Sequence, residues 1–172
     1  MSSTVILAYS GGLDTTYTAK YLAVEKGMEV ISVVANTGGF SKQQLEDIEF
    51  KAKELGVKEH VVLNIEKEYY DYCIRYMVYG NVLKNNTYPL SVSAERIVQA
   101  LEIIEYAKKI GAESIAHGST GAGNDQVRFD MIFQIIAPEI EIITPIRDNK
   151  LSREAEIEYL KQNGVDYSWE KA

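Results

Sequence analysis

Cysteine, long apolar runs and concentrated basic charge are all scarce in this sequence of 172 residues. Cys73 is the only cysteine, so an internal disulfide and a thiolate metal cage are excluded, and a reducing compartment is expected. No run of about 18 apolar residues occurs, and no basic region precedes the first apolar segment. These absences predict a cytoplasmic protein with no membrane partner.

The charge balance is acidic, with 18 Lys and Arg residues against 25 Asp and Glu residues and a net charge of −7. Because a field of that sign repels phosphate backbones and no basic run interrupts it, we expect no nucleic-acid partner. No spacing of His, Cys and Glu indicates a dedicated metal site, so the metal prediction is none. The length and a hydrophobic content of 46% suit one globular domain.

Five short apolar runs rich in β-branched residues predict strands, and several lack the alternation of half-exposed strands. They span residues 5–8, 30–34, 61–63, 114–116 and 140–143. Helical patterns lie between most of them, and each ends at a glycine that can close a helix in the left-handed conformation. These glycines are Gly27, Gly56, Gly111 and Gly164. The repetition predicts an α/β fold, an open parallel five-stranded sheet with helices on both faces.

Two segments depart from this alternation of strands and helices. Residues 66–93 hold a tyrosine-rich helical pattern and then a loop longer than a minimal connection, which is typical of functional loops. We interpret the tyrosines as core and amphipathic surface rather than as a base-stacking platform. Residues 165–172 form an extended segment with no predicted strand left to pair with.

The first glycine segment, residues 8–16, reads Ala-Tyr-Ser-Gly-Gly-Leu-Asp-Thr-Thr and lies between the first predicted strand and helix. Its paired glycines allow a sharp turn and a close ligand approach, and the first helical amides point at that turn. The hydroxyls of Ser10, Thr15 and Thr16 add donors. A phosphate chain can therefore be held without the lysine of a Walker loop, which the sequence lacks. The alternative is a tight turn in which Ser10 or Asp14 caps the helix.

The second glycine segment, residues 116–129, follows the fourth predicted strand and reads Ala-His-Gly-Ser-Thr-Gly-Ala-Gly-Asn-Asp-Gln-Val-Arg-Phe. Its glycines provide a second backbone cradle at the same edge of the sheet. Thr120, Asn124, Asp125 and Arg128 crowd polar groups that suit an amine, carboxylates and a ureido group. A helix start capped by Ser, Thr, Asn or Asp is the alternative.

The run Ser10-Gly11-Gly12-Leu13-Asp14-Thr15 resembles the pyrophosphate-binding loop of the ATP pyrophosphatase, or PP-loop, group. The second glycine segment, residues 8–16 and Ala35-Asn36-Thr37-Gly38 together resemble the argininosuccinate synthase family along nearly the whole chain. The resemblance implies a Rossmann-like fold of the adenine nucleotide alpha hydrolase type. It also implies an ATP-dependent carbon–nitrogen ligase of arginine biosynthesis. Such an enzyme joins citrulline and aspartate through citrullyl-AMP and gives argininosuccinate, AMP and pyrophosphate.

The resemblance also implies roles for individual residues. The expected ATP contacts are Ala8, Tyr9, Ser10, Gly11, Gly12, Leu13, Asp14, Thr15, Thr16, Ala35, His117, Gly118, Gly121 and Gly123. The expected substrate contacts are Tyr88, Ser93, Asn124 and Arg128 for citrulline, and Thr120, Asn124 and Asp125 for aspartate. Asp14, Asp125 and Arg128 are the expected catalytic residues. Catalysis would rest on alignment and charge stabilisation, with Mg²⁺ arriving on ATP.

The chain departs from the family pattern in places. Ala122 stands where the family usually has lysine, which removes a cation near the phosphates. Residues 91–97 read Ser-Val-Ser-Ala-Glu-Arg-Ile where the family commonly has Gly-Thr-Ser-Leu-Ala-Arg-Pro. Family members are also more than twice as long, and the full-length protein is expected to be a homotetramer.

We therefore assign residues 1–164 to an ATP-binding PP-loop domain. Residues 165–172 would begin a linker to an absent C-terminal catalytic and oligomerisation domain. The chain alone is expected to bind ATP without making product at a useful rate.

Two other functions stay open. One is another adenylating PP-loop enzyme, such as a tRNA-thiolating enzyme, against which the single cysteine, the acidic charge and the second glycine segment count. The other is a non-catalytic ATP-binding module. His117 could contact phosphate, but a histidine at a strand end is more often a hydrogen-bonded structural residue. Cys73 is expected to be buried, and His60 to lie at the surface or a strand edge.

Overall fold

The computed structural model describes residues 3–169, except for the side chains of Tyr88 and Pro89. The main-sheet strands are β1 (Thr4–Ala8), β2 (Glu29–Asn36), β3 (Glu59–Asn64), β6 (Ser114–His117) and β7 (Glu141–Ile143). Strands β4 (Leu83–Lys84) and β5 (Tyr88–Pro89) form a separate antiparallel pair. The helices are α1 (Leu13–Val24), α2 (Lys42–Glu54), α3 (Glu66–Tyr69), α4 (Arg75–Tyr79), α5 (Ser91–Ile110), α6 (Asp125–Ile136), α7 (Pro145–Asp148) and α8 (Arg153–Gln162). A π-helical turn, Tyr70–Ile74, joins α3 to α4.

The main sheet has the order β3-β2-β1-β6-β7, and every neighbouring pair is parallel. The chain moves outward from β1 to β3 and then returns to place β6 on the other side of β1. The direction of winding therefore reverses between β1 and β6, where ligands bind in open α/β sheets. The predicted fold class, a five-stranded parallel sheet with helices, is confirmed.

Apolar cores lie on both faces of the sheet. Val5 and Leu7 of β1 face the first core, where they pack with residues of α1, α2 and α8. Ile6 faces the second core, which α5 and α6 cover. All three β1 residues are fully buried, which explains why the strand is a continuous apolar run.

Helix closure follows the predicted pattern. The four glycines named for this purpose all have positive φ, at 60° for Gly27, 88° for Gly56, 70° for Gly111 and 77° for Gly164. Each of them lets the chain leave a helix and turn toward the next segment.

The tyrosine-rich segment divides between core and surface, as interpreted from the sequence. Tyr69 contacts the second core and donates its hydroxyl to the Ser91 carbonyl at 2.9 Å. Tyr70, Tyr72, Tyr76 and Tyr79 lie on the surface and are 49%, 59%, 57% and 83% exposed. Cys73 is only half-buried, so its predicted burial is wrong.

The segment after Gly164 packs on the domain. Val165 is buried in the first core, and Tyr167 and Trp169 pack against it. The Tyr167 hydroxyl donates to Glu54 Oε2 at 2.6 Å. As expected, residues 165–169 form no strand, and the domain boundary at Gly164 stays a prediction. Across residues 3–169, no helix has the length and apolar character needed to cross a membrane.

Gly118 brings the two glycine segments into backbone contact. A Cβ added at Gly118 would lie 2.9 Å from the backbone carbon of Asp14 and 3.0 Å from the Thr15 nitrogen. Because these are main-chain atoms, neither can move without displacing the first turn of α1. The absence of a side chain at this position sets the distance between the segments.

We predict that Gly118→Ala lowers the free energy of unfolding by about 1–3 kcal/mol, because the added methyl group overpacks this contact. Urea denaturation followed by circular dichroism measures the loss. Gly121→Ala is the matched control, since its added Cβ meets only Arg147 Cγ at 3.8 Å. Equal destabilisation by the two substitutions would contradict this account.

Candidate functional site

A cleft of about 560 Å³ opens at the carboxyl end of the sheet, over the point where the winding reverses. That volume is typical of sites that hold small ligands. Its walls come from the glycine segments, the end of β2, one side of α5 and the start of α8.

Most of the predicted site residues meet at this cleft. Those that line it are Ala8, Tyr9, Ser10, Gly12, Leu13, Asp14, Thr15, Ala35, His117, Gly118, Thr120, Gly123 and Asp125. Gly11, Thr16, Ser93, Gly121, Asn124 and Arg128 are not among its lining residues. Thr16 is fully buried beneath the first glycine segment. The side chain of Tyr88 lies outside the described residues, so its predicted role has no structural account.

The start of α1 faces the cleft without a capping side chain. Gly12 is the N-cap residue, and no side chain accepts a hydrogen bond from the first turn. Thr16 makes the first helical bond, to the Gly12 carbonyl at 3.0 Å, so the amides of residues 13–15 precede the helical ladder. Capping by Ser10 or Asp14, the alternative drawn from the sequence, is therefore not what the structure has.

The hydroxyls at this turn are oriented by the backbone. Thr15 Oγ1 donates to the Gly12 carbonyl at 3.2 Å and lies 3.3 Å from Ser10 Oγ. Uncapped amides, two hydroxyls and the positive end of a helix dipole favour an anionic ligand. The first glycine segment thus has the chemistry of a phosphate site.

His117 is buried at the base of the second glycine segment. Its Nδ1 accepts the Ser119 amide at 3.2 Å, so the ring proton sits on Nε2, which is 2.8 Å from Asp130 Oδ1. Burial lowers the pKa of His117, and Asp130 only partly opposes that effect. The ring also stacks on Phe129 with centroids 5.6 Å apart. This geometry fits the structural role expected for His117, although the residue also borders the cleft.

Asp130 is held in turn from α7. Arg147 Nη1 donates to Asp130 Oδ2 at 2.5 Å. Burial opposes ionisation of Asp130, but the bonds from His117 and Arg147 outweigh it and lower its pKa. The contacts among His117, Asp130 and Arg147 thus connect β6, α6 and α7.

The predicted substrate residues of α5 and α6 are linked by charge-assisted hydrogen bonds. Arg128 donates through Nη1 to Asp125 Oδ1 at 2.6 Å and through Nη2 to Ser93 Oγ at 2.9 Å. Asp125 lines the cleft, and Arg128, which is bonded to it, is not among the lining residues. The structure therefore brings Ser93, Asp125 and Arg128 together, as one site requires.

The sequence reasoning missed Arg96 and Gln99 of α5, which both line the cleft. Arg96 Nη1 donates to Gln99 Oε1 at 2.7 Å, and its Nε donates to Asp125 Oδ2 at 3.4 Å. Gln99 Nε2 donates to the Ala35 carbonyl at 3.1 Å. A signal for Arg96 existed, because it aligns with the arginine of the family's Gly-Thr-Ser-Leu-Ala-Arg-Pro.

Arg153 was missed as well, and no local pattern indicated it. It lies in the first turn of α8, far along the chain from the glycine segments, yet it borders the same cleft. In the described part of the chain, no group of three His, Cys, Asp or Glu side chains is placed to hold a metal ion. The structure thus adds two arginines, Arg96 and Arg153, to the cleft wall.

Comparison with known proteins assigns a family. The family model described as Arginosuccinate synthase N-terminal HUP domain matches residues 4–166. The fold above agrees with this assignment, since it is a Rossmann-like α/β domain consistent with the adenine nucleotide alpha hydrolase fold.

Similar curated proteins carry the same family name. The chain is 44% identical over 161 residues to the argininosuccinate synthase of Lactococcus lactis subsp. cremoris strain SK11, covering 94% of this chain and 40% of that protein. It is 42% identical over 166 residues to the argininosuccinate synthase of Methanocaldococcus jannaschii, covering 96% of this chain and 41% of that protein. The Sulfurisphaera tokodaii argininosuccinate synthase is 40% identical over 168 residues, covering 98% of this chain and 43% of that protein. The chain thus spans about 40% of the length of these relatives.

We predict that His117 stays neutral below its ordinary pKa of about 6.5. Burial favours the uncharged ring in the folded state only, so this stability is present above pH 6.5 and is lost as the pH falls below it. Below pH 6.5 the parent should therefore lose up to about 1.4 kcal/mol more stability per pH unit than His117→Gln loses, and the difference between the two slopes gives the contribution of His117.

Burial also lowers the pKa of His60, so the comparison belongs in a His60→Gln background. Urea denaturation at pH 5.5, 6.0, 6.5 and 7.5 gives the slope, and the ring-proton NMR signals give the titration midpoint. A midpoint above 6.5 for His117 would show that the bond to Asp130 outweighs burial.

Proposed function

The chain belongs to the argininosuccinate synthase family, and we propose on that premise that it binds ATP in the cleft between its two glycine segments. The observation that carries the proposal is the uncapped start of α1, which faces the cleft where the sheet reverses its winding. An anion placed there would accept hydrogen bonds from amides that have no acceptor within the helix.

The cleft provides different surroundings for the two ends of the nucleotide. The phosphates would bind the amides of residues 13–15 with the hydroxyls of Ser10 and Thr15. The adenine would lie against an apolar wall, which Val33 and Ala35 of β2 and Ile103 of α5 form. Gly118, without a side chain, leaves the second backbone cradle close to the first.

Two cations on the cleft wall support the binding of a highly charged ligand. Ala122 stands where the family usually has lysine, and the net charge of the chain is −7. Arg96 and Arg153 nevertheless border the cleft and can offset phosphate charge locally. Mg²⁺ would arrive with ATP and be held mainly by phosphate oxygens, where it neutralises charge on the leaving pyrophosphate.

The substrates would bind beside the phosphates, at α5 and α6. We propose that the citrulline ureido oxygen attacks the α-phosphate, which releases pyrophosphate and forms citrullyl-AMP. The aspartate amine then displaces AMP. Asp14, Asp125 and Arg128 would align these groups and stabilise charge, and no covalent nucleophile is needed. Because Arg128 is paired with Asp125 and Ser93, citrulline would have to take over at least one of its bonds.

The remaining functional assignments concern the whole protein. The chain spans 40% of the length of its Lactococcus relative, so ligase turnover, arginine biosynthesis, the homotetramer and the cytoplasmic location are proposals for the full-length protein. Another PP-loop adenylating enzyme and a non-catalytic ATP-binding module are the alternatives. Neither of them predicts that citrulline and ATP strengthen each other's binding.

Ser10→Ala should weaken ATP binding by roughly 1.5–3 kcal/mol, because a hydroxyl donor to a charged phosphate is lost. Isothermal titration calorimetry with a non-hydrolysable ATP analogue measures the change. Ser41→Ala is the matched control, since Ser41 is not among the residues that line the cleft and its hydroxyl caps α2, accepting the Gln44 amide at 3.3 Å. It should lower stability by about 1 kcal/mol and leave nucleotide affinity unchanged. Equal ATP affinity in Ser10→Ala and the parent would refute the phosphate assignment.

Arg128→Gln should reduce citrulline affinity by about 10- to 100-fold while ATP affinity changes little, because a charge-assisted bond to the substrate is removed. Citrulline is titrated with and without a saturating ATP analogue. In the parent, each ligand should increase the affinity for the other. Arg75→Gln, an exposed change on α4, serves as the control. If citrulline does not bind the parent in either condition, the chain is better described as a nucleotide-binding module.

A further inference from the structure

Glu156 of α8 is a buried acid that has no part in the site described above. It is 2% exposed, and its Oε2 is shielded from solvent and accepts no hydrogen bond from the described residues. Glutamate is almost never buried to this extent without a partner. Because α8 packs against α1, the Glu156 carboxyl faces Asp14, which lines the cleft.

Two ionised carboxylates cannot satisfy each other, because each of them only accepts hydrogen bonds. A proton on one of them makes it a donor to the other and removes the repulsion. Burial, and then the proximity of Asp14, raises the pKa of Glu156 to about 8, although Arg153 partly opposes this. Among the described residues, Tyr17 of α1 also interacts with Glu156, and burial is the main cause that raises the pKa of Tyr17. Because Glu156 is buried and Asp14 is only half-buried, Glu156 is the member of the pair that favours the protonated form.

We propose that Glu156 is a positioning residue that donates a hydrogen bond to Asp14 and holds its carboxylate at the edge of the phosphate site. This bond would give the buried Oε2 of Glu156 a partner, because a protonated Oε2 can donate to the Asp14 carboxylate. Its consequence for nucleotide binding rests on the proposed function. The pair keeps one negative charge instead of two beside the bound phosphates, and it links α8 to the first glycine segment.

Carboxyl ¹³C NMR of the chain without ATP tests the bond itself. A glutamate resonance should titrate near pH 8, be missing in Glu156→Gln, and titrate at lower pH in Asp14→Asn. A Glu156 carboxyl that titrates below pH 6, or that ignores Asp14→Asn, would overturn the inference whether or not ATP binds.

The pH dependence of Mg²⁺–ATP affinity tests the consequence. In the parent, affinity should fall on the order of fivefold from pH 7 to pH 9, as a second charge appears beside the phosphates. Glu156→Gln keeps a donor but cannot ionise, so it should lose this decline. Glu156→Ala should bind ATP more weakly than the parent at pH 7, and Glu156→Gln should restore binding.

Glu158→Gln is the matched control, because Glu158 is an exposed acid on the same helix and its removal changes the net charge equally. It should retain the alkaline decline of the parent. An identical decline in Glu156→Gln would overturn the positioning role. A parent that binds no ATP would contradict the proposed function, and the NMR titration would still decide the carboxyl bond.

Discussion

The contact between Gly118 and the first turn of α1 fixes the geometry on which the candidate site depends. The backbone of the second glycine segment lies so close to Asp14 and Thr15 that no Cβ fits between them. Since β1 and β6 are adjacent parallel strands, the two glycine segments that follow them begin at the same edge of the sheet. The contact therefore joins the two glycine segments at one cleft, and it is made by main-chain atoms, the least adjustable part of a protein.

Polar and charged side chains connect the backbone at the cleft to the surrounding helices. On one side, Gln99, Arg96 and Asp125 connect the carbonyl at the end of β2 to α6 by hydrogen bonds of 2.7 to 3.4 Å. On the other side, Asp130 joins His117 to Arg147. Each network includes a group at the cleft wall and a group on a different element. A ligand that displaces one member would therefore act on several elements, as the proposed function requires.

The acidic composition places a demand on such a site. If the chain binds a nucleoside triphosphate as proposed, the ligand approaches a protein with a net charge of −7, so the local arrangement of charge has to overcome the overall field. Uncapped helical amides and the side chains of Arg96 and Arg153 place positive groups at the cleft, beside the carboxylates of Asp14, Glu95 and Asp125. Asp14, which lines the cleft, faces the buried Glu156, and the hydrogen bond that we propose from Glu156 would leave one negative charge on the pair instead of two.

The sequence alone determined the fold class, because strands buried on both faces appear as continuous apolar runs and the glycines that close helices recur between them. It also placed both glycine segments at strand ends, which is where parallel strands bring functional loops together. Only the tertiary structure showed that Arg153 borders the cleft and that Glu156 faces Asp14. Both residues stand on a helix whose orientation is set by packing, and helical periodicity is the same for a residue aimed at solvent or at a ligand. Packing likewise decided the position of Thr16, whose side chain is fully buried.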